Sequence, residues 1–174
     1  MNIVLTGMMA TGKSSIGARL AYMLGMEFVD TDELIERKAG KSIRRIFAEE
    51  GETAFREIEK QIVKEMSRLN NRVIATGGGV VKDPENMEEL EKNAVIICLK
   101  ASPETICERT SGSDARPLLN VKEKTIEVER IIRERAEMYA RCDLSFDTTG
   151  RCAEEMAEEI SGSIQKLRDY ADQG

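Results

Sequence analysis

Histidine and tryptophan are absent from the chain, and aromatic residues make up only 4% of it. Without histidine, the commonest general base and the commonest metal ligand are both missing. The four cysteines, Cys98, Cys107, Cys142 and Cys152, include no C-x-x-C pair. A zinc site is therefore not expected, nor is a disulfide framework at this size and spacing. Cys98 sits in an apolar run and is assigned to the core. The shortage of rings, with 26 basic against 32 acidic residues and a net charge of −6, argues against sequence-independent nucleic-acid binding, which needs a basic groove and stacking platforms. Long apolar runs are missing too. The longest, Ala94 to Leu99, is far too short to cross a bilayer. No secretory leader precedes the first apolar strand. A cytosolic protein without a membrane partner is expected.

What is present is a chain of 174 residues, 41% hydrophobic and 33% charged, the profile of a soluble globular protein with a core of Ile, Leu, Val, Met and Ala. That length suits one domain, residues 1–174, and is too short for two ordinary ones. Short apolar runs alternate with amphipathic segments. Asn2 to Thr6, Glu27 to Asp30, Arg72 to Thr76, Ala94 to Leu99 and Leu144 to Asp147 read as strands. Lys13 to Leu24 reads as a helix stopped by Gly25. Ser42 to Glu50, Glu52 to Leu69, Asp83 to Lys92, Pro103 to Arg109, Lys122 to Cys142 and Cys152 to Tyr170 read as further helices. Near-continuous apolar strands separated by helices predict an α/β fold: a five-stranded parallel sheet with helices on both faces. Thr110 to Lys124 lacks apolar periodicity and carries Ser111, Gly112, Ser113, Asp114 and Pro117, so it reads as a lid.

The sharpest motif is Gly7-Met8-Met9-Ala10-Thr11-Gly12-Lys13-Ser14, which fits G-x-x-x-x-G-K-[ST]. It follows an apolar strand and opens a helix, the context that gives the pattern its meaning. Such a loop turns successive backbone N–H groups inward as a nest for anionic oxygens, and the helix N-terminus adds its dipole. Lys13 is then expected to reach the β- and γ-phosphates of ATP. Ser14 is placed to ligate Mg²⁺ through its hydroxyl, and Gly7 to Ser14 with Ser15 are expected to bind the nucleotide.

A phosphate nest leaves the acceptor open. Asp30 and Asp32, in Asp30-Thr31-Asp32, stand at the carboxyl end of the second strand, where ligands gather in a parallel sheet. One carboxylate can support Mg²⁺, and the other can accept a proton from an acceptor hydroxyl or orient it. A plainer role is to cap the following helix, through Thr31 or Asp32. Gly77-Gly78-Gly79 closes the third strand and suggests close approach of backbone to ligand or P-loop. Arg135 falls on the apolar stripe of its helix with Val128, Ile131, Ile132 and Tyr139, where a guanidinium needs an anionic partner. Arg56 flanks the stripe of an earlier helix beside Phe55. Two converging arginines suit an organic carboxylate, gripped by forked N–H pairs. Arg116, in the lid, can swing over the transferring phosphoryl group.

Taken together, Gly7 to Ser14, Asp30-Thr31-Asp32, Phe55-Arg56-x-x-Glu59, Gly77-Gly78-Gly79, Arg116-Pro117-Leu118-Leu119 and Arg135-Ala136 with Tyr139 resemble the shikimate kinase family, in its order and at similar spacing over roughly residues 1–150. The resemblance implies a P-loop NTPase of the nucleoside-monophosphate-kinase-like kind, with a substrate-binding segment near 31–60 and a lid near 110–124. It implies ATP-dependent phosphorylation of the 3-hydroxyl of shikimate, on the route to chorismate and the aromatic amino acids, with ATP and Mg²⁺ bound; a monomer is expected as the working unit. By the same resemblance Asp32 orients or deprotonates the hydroxyl, and Asp30 supports Mg²⁺. Arg56, Arg135 and Gly77 to Gly79 hold shikimate. Lys13 and Arg116 contact phosphate, Arg109 lies along the adenine, and Arg151 borders the nucleotide. Ala10 departs from the glycine common in the family, and the Gly150-Arg151-Cys152-Ala153 stretch matches poorly. Two rival readings are a kinase for another small hydroxy acid such as gluconate, and a nucleotide-dependent switch without a small acceptor.

Overall fold

The computed structural model describes residues 1–110 and 124–171. The expected lid, with Arg116, lies outside them apart from its two end residues. Five parallel strands form one sheet: β1 (Asn2–Thr6), β2 (Glu27–Asp30), β3 (Arg72–Ala75), β4 (Ala94–Lys100) and β5 (Leu144–Asp147), in the order β2-β3-β1-β4-β5. In a pleated strand successive side chains face opposite sides, and here both sides are apolar. Ile3 and Leu5 of β1, Val73 of β3, and Ile97 and Leu99 of β4 pack on one face against α1 (Lys13–Leu24) and α9 (Ala153–Ala171). Val4, Ile74, Ile96 and Cys98 pack on the other. That second face is covered by α4 (Gly51–Ser67), α5 (Pro84–Glu91), α6 (Pro103–Thr110), α7 (Lys124–Glu134) and α8 (Ala136–Ala140). A smaller core of Ile35, Ile46, Phe55 and Ile62 joins α2 (Thr31–Ala39) and α3 (Ile43–Glu49) to α4.

Helix ends follow local chemistry. Gly25 closes α1 in the left-handed region, φ 63°, where its N–H bonds back to Ala21 and Tyr22. The cap of α2 falls on Asp30, not on Thr31 or Asp32: its Oδ1 accepts the N–H of Asp32 at 2.9 Å. Asp30 is the last strand residue, still extended at φ −106° and ψ 119°, the geometry a capping side chain needs. The helix expected across Lys122 to Cys142 is interrupted. Residues 122 and 123 lie outside the description, and the helix breaks at Arg135, with φ −105° and ψ 8°, before α8 begins. The Arg135 N–H still bonds to Ile131 O at 3.1 Å, and the Tyr139 N–H to Arg135 O at 2.9 Å. The i, i+4 spacing thus survives the break. β1 lies between β3 and β4, so the chain reverses direction across the sheet there. In open α/β sheets that reversal opens a crevice at the carboxyl ends of the strands.

Candidate active site

Residues at the ends of β1, β2 and β3, with Arg109 and Thr110 of α6, line that crevice. The loop after β1 is the phosphate nest. Gly7 has φ 129°, and a methyl group there would stand 2.1 Å from Leu99 O, so only glycine fits. Ala10 takes φ 60° without being glycine, a strained position for a residue with a Cβ. The hydroxyl of Thr11 closes the turn by donating to Met8 O at 2.8 Å. Lys13 is buried, and its Nζ donates to Gly7 O at 2.9 Å and Met8 O at 2.8 Å. The cation is thus folded onto the rim of its own loop. The first turn of α1 carries no acidic side chain of its own, so its positive end faces the cleft.

Ser14 Oγ donates to Asp30 Oδ2 at 2.6 Å. One hydroxyl and one carboxylate therefore meet at the mouth of the nest, a pair of hard oxygen donors. Among the described residues no cluster of three His, Cys, Asp or Glu could hold a metal. Mg²⁺ rarely uses an all-protein cage, preferring one or two protein oxygens completed by water and phosphate. The Ser14–Asp30 pair fits that habit. Asp32, Thr76, Gly78, Ser15, Arg109 and Thr110 join the nest residues around a cleft of about 360 Å³.

The glycine run after β3 is the meeting point of the acceptor side. The N–H of Gly77 bonds to the hydroxyl of buried Thr31 at 3.1 Å, which ties the run to the start of α2. A methyl on Gly77 would stand 2.8 Å from Oδ1 of Asp32 and 3.1 Å from Oε1 of Glu59. On Gly78 it would stand 3.1 Å from the N of Met9, and on Gly79 2.6 Å from Nη2 of Arg56. The run is therefore wedged between the P-loop, the aspartate and a guanidinium. From the other side, Arg135 Nη1 donates to Gly78 O at 3.0 Å, and Tyr139 Oη donates to the same oxygen at 2.7 Å. Arg56 and Arg135 reach adjacent glycines from α4 and from the break between α7 and α8.

Arg56 is held from three directions. Its Nη1 donates to Glu59 Oε2 at 2.6 Å, its Nη2 to Glu52 Oε1 at 3.2 Å, and its guanidinium lies 4.9 Å from the Phe55 ring centre. Glu59 is 1% exposed, and its Oε1 has no hydrogen-bond partner among the described residues. Burial pushes the Glu59 carboxyl above the usual range. Arg56 opposes that shift, and the charges of Asp32 and Asp83 add to it.

On the nucleotide side, Arg109 is bound to two carbonyls and a hydroxyl: Nη1 donates to Ala10 O and Thr148 Oγ1, each at 3.1 Å, and Nη2 to Thr148 O at 2.9 Å. Arg151 is exposed and paired with Glu159 of α9. Arg116 lies outside the described residues. Three residues carry contacts that the sequence does not assign to them. Thr148, 1% exposed, stands just past β5 and donates its hydroxyl to Thr11 O at 3.0 Å, joining the last strand to the nest. Its place at a strand's carboxyl end was the available signal. Glu59 and Tyr139 lay inside matched strings, but only the assembled fold shows what they touch.

The shikimate kinase family model matches residues 9–165. The chain is 46% identical to a shikimate kinase of Caldanaerobacter subterraneus subsp. tengcongensis, across 96% of this chain and 98% of that one. Its structure is similar to that of shikimate kinase from Acinetobacter baumannii in complex with shikimate, with a TM-score of 0.92 and 34% identity over 95% of this chain and 93% of the other. A gluconokinase from Sinorhizobium meliloti is similar at a TM-score of 0.63 with 15% identity over 99% of this chain and 97% of the other, a likeness of fold alone.

Proposed function

The chain belongs to the shikimate kinase family, and from that premise we propose how its residues divide the work. The activity is ATP-dependent phosphorylation of shikimate, with Mg²⁺ as cofactor. The observation that carries the assignment of roles is the convergence of Arg56 and Arg135 on Gly79 and Gly78, one residue apart, against the P-loop. Forked guanidiniums read a carboxylate through paired N–H bonds. The two arginines thus hold the shikimate carboxylate, and Gly77 to Gly79 leave room for its ring.

Asp32, beside Gly77, takes the acceptor hydroxyl, which is the 3-hydroxyl. In a loose phosphoryl transfer the acceptor oxygen gains its bond to the γ-phosphorus late, so the carboxylate's first task is to aim the hydroxyl and its second is to receive the proton. The bond that breaks joins the γ-phosphorus to its bridging oxygen, and ADP leaves. Lys13 exchanges its contacts with Gly7 O and Met8 O for β- and γ-phosphate oxygens. The N–H groups of residues 8 to 15 and the start of α1 hold the polyphosphate. Ser14 and Asp30 would hold Mg²⁺, which when bound would neutralise phosphate charge. Arg109 borders the adenine, Arg151 flanks the nucleotide farther out, and Arg116 completes the phosphate contacts from the lid. Likeness to relatives of the same length over nearly the whole chain supports a single kinase domain, and a monomer is the working unit of this proposal. A cytosolic location goes with the supply of ATP.

A coupled assay of ADP release tests the reading. Shikimate should drive Mg²⁺-dependent turnover and gluconate should not, because a site built to bond particular polar groups rejects an acceptor that lacks them. No shikimate-dependent ADP release at any Mg²⁺ concentration would overturn it.

A further inference from the structure

Gly78 O takes two donors from one segment, Arg135 Nη1 at 3.0 Å and Tyr139 Oη at 2.7 Å. A carbonyl oxygen has two acceptor positions, so both are filled. The two donors differ in what else they can do. Arg135 stands half-buried at the helix break, with four further N–H groups on a side chain that can turn. Tyr139 is 7% exposed and packs in the core beside Val128 and Ile131, so its ring holds the hydroxyl in place. Burial also raises the phenol's pKa, an effect Arg135 opposes, and a neutral phenol remains a donor.

We propose that Tyr139 is a positioning residue whose hydroxyl keeps the Gly78 carbonyl bonded when Arg135 turns its guanidinium to the substrate carboxylate. The inference rests on the assignment of Arg135 to that carboxylate. Without substrate, either donor satisfies the carbonyl. Once Arg135 leaves, the phenol alone does so, and without it the half-buried Gly78 carbonyl would lose both of these donors at the moment of binding. The penalty therefore falls on acceptor binding and leaves the free protein almost untouched.

The test is Tyr139→Phe, which removes one oxygen and keeps the ring that fills the core. Shikimate titrated calorimetrically should bind about tenfold more weakly, equivalent to about 1.4 kcal/mol. The KM for shikimate should rise in parallel. The KM for ATP and kcat at saturating shikimate should hold, and the Tm without ligand should stay close to that of the parent. Unchanged shikimate affinity would overturn the proposal, because Arg135 would then serve carbonyl and carboxylate together. Equal weakening of ATP and shikimate, or a large fall in ligand-free Tm with normal affinity, would also overturn it by showing a merely structural bond. Arg135→Ala, measured in the same series, separates the two layers. If that variant binds shikimate normally, the assignment of Arg135 fails first, whatever Tyr139→Phe shows.

Discussion

The phosphate side and the acceptor side of the crevice are built by different means. The phosphate side is one continuous loop of eight residues whose own side chains bond to its own carbonyls. Gly7 is pressed against Leu99 O, Thr11 bonds back to Met8 O, and Lys13 bonds to the loop's own carbonyls. The acceptor side is assembled from α2, α4, the run after β3 and the α7–α8 break, and it is held by side chains. Glu59 and Glu52 fix Arg56, Tyr139 and Arg135 share one carbonyl, and Thr31 pins Gly77. In both halves the cations already have protein partners. A ligand must therefore exchange contacts, and only the difference between old and new bonds appears as affinity.

The strongest way to break this comparison is at Lys13. Lys13→Met should lower kcat by about 10²–10³, the scale of losing one preorganised charge-stabilising donor, while shikimate binding followed by calorimetry persists. If shikimate binding fell with kcat, the two halves would not be separable. A subtler test sits at Glu59, where the acceptor side holds a buried carboxyl. Its pKa is raised above the ordinary 4.5, chiefly by burial. The folded protein then holds that proton more tightly than the unfolded chain. Its contribution to stability is full below pH 4.5 and is lost as pH rises through the folded value. The lowered carboxyls, Glu49, Glu52, Glu89, Glu104, Glu127 and Asp147, act in the opposite sense and at lower pH, losing their contribution as pH falls. Melting curves of the parent and of Glu59→Gln above pH 4.5 should therefore converge or cross as pH rises, with the parent losing ground. Parallel curves would mean that Arg56 holds Glu59 ionised throughout.

The same contrast explains what could be read from the sequence. The P-loop is local: its glycines, lysine and serine are contiguous, and the flanking strand and helix are visible as an apolar run and an amphipathic stripe. All five strands were legible for that reason, as was the stop at Gly25. The acceptor side depends on which helices meet. That Glu59 is buried follows only from the packing of α4 over the glycine run, since on the helix it looks like one more acidic residue. The break at Arg135 left no mark on the periodicity, because the bonds from 131 to 135 to 139 keep helical spacing across it. Thr148 belongs to no motif, and its link to Thr11 spans 137 residues. Asp-Thr-Asp offers three capping side chains in a row, and only the strand's end shows that Asp30 is the extended one that caps α2.

The most direct measurement is a calorimetric titration of shikimate into the protein and its Arg135→Ala variant, each with and without a non-hydrolysable ATP analogue and Mg²⁺. Loss of a charged, forked contact predicts shikimate affinity lower by about 10–100-fold, on the scale of 1.5–3 kcal/mol for hydrogen bonds to charged groups, with binding of the analogue unchanged. Equal loss of both ligands in a folded variant, or no loss of shikimate affinity, would contradict the account.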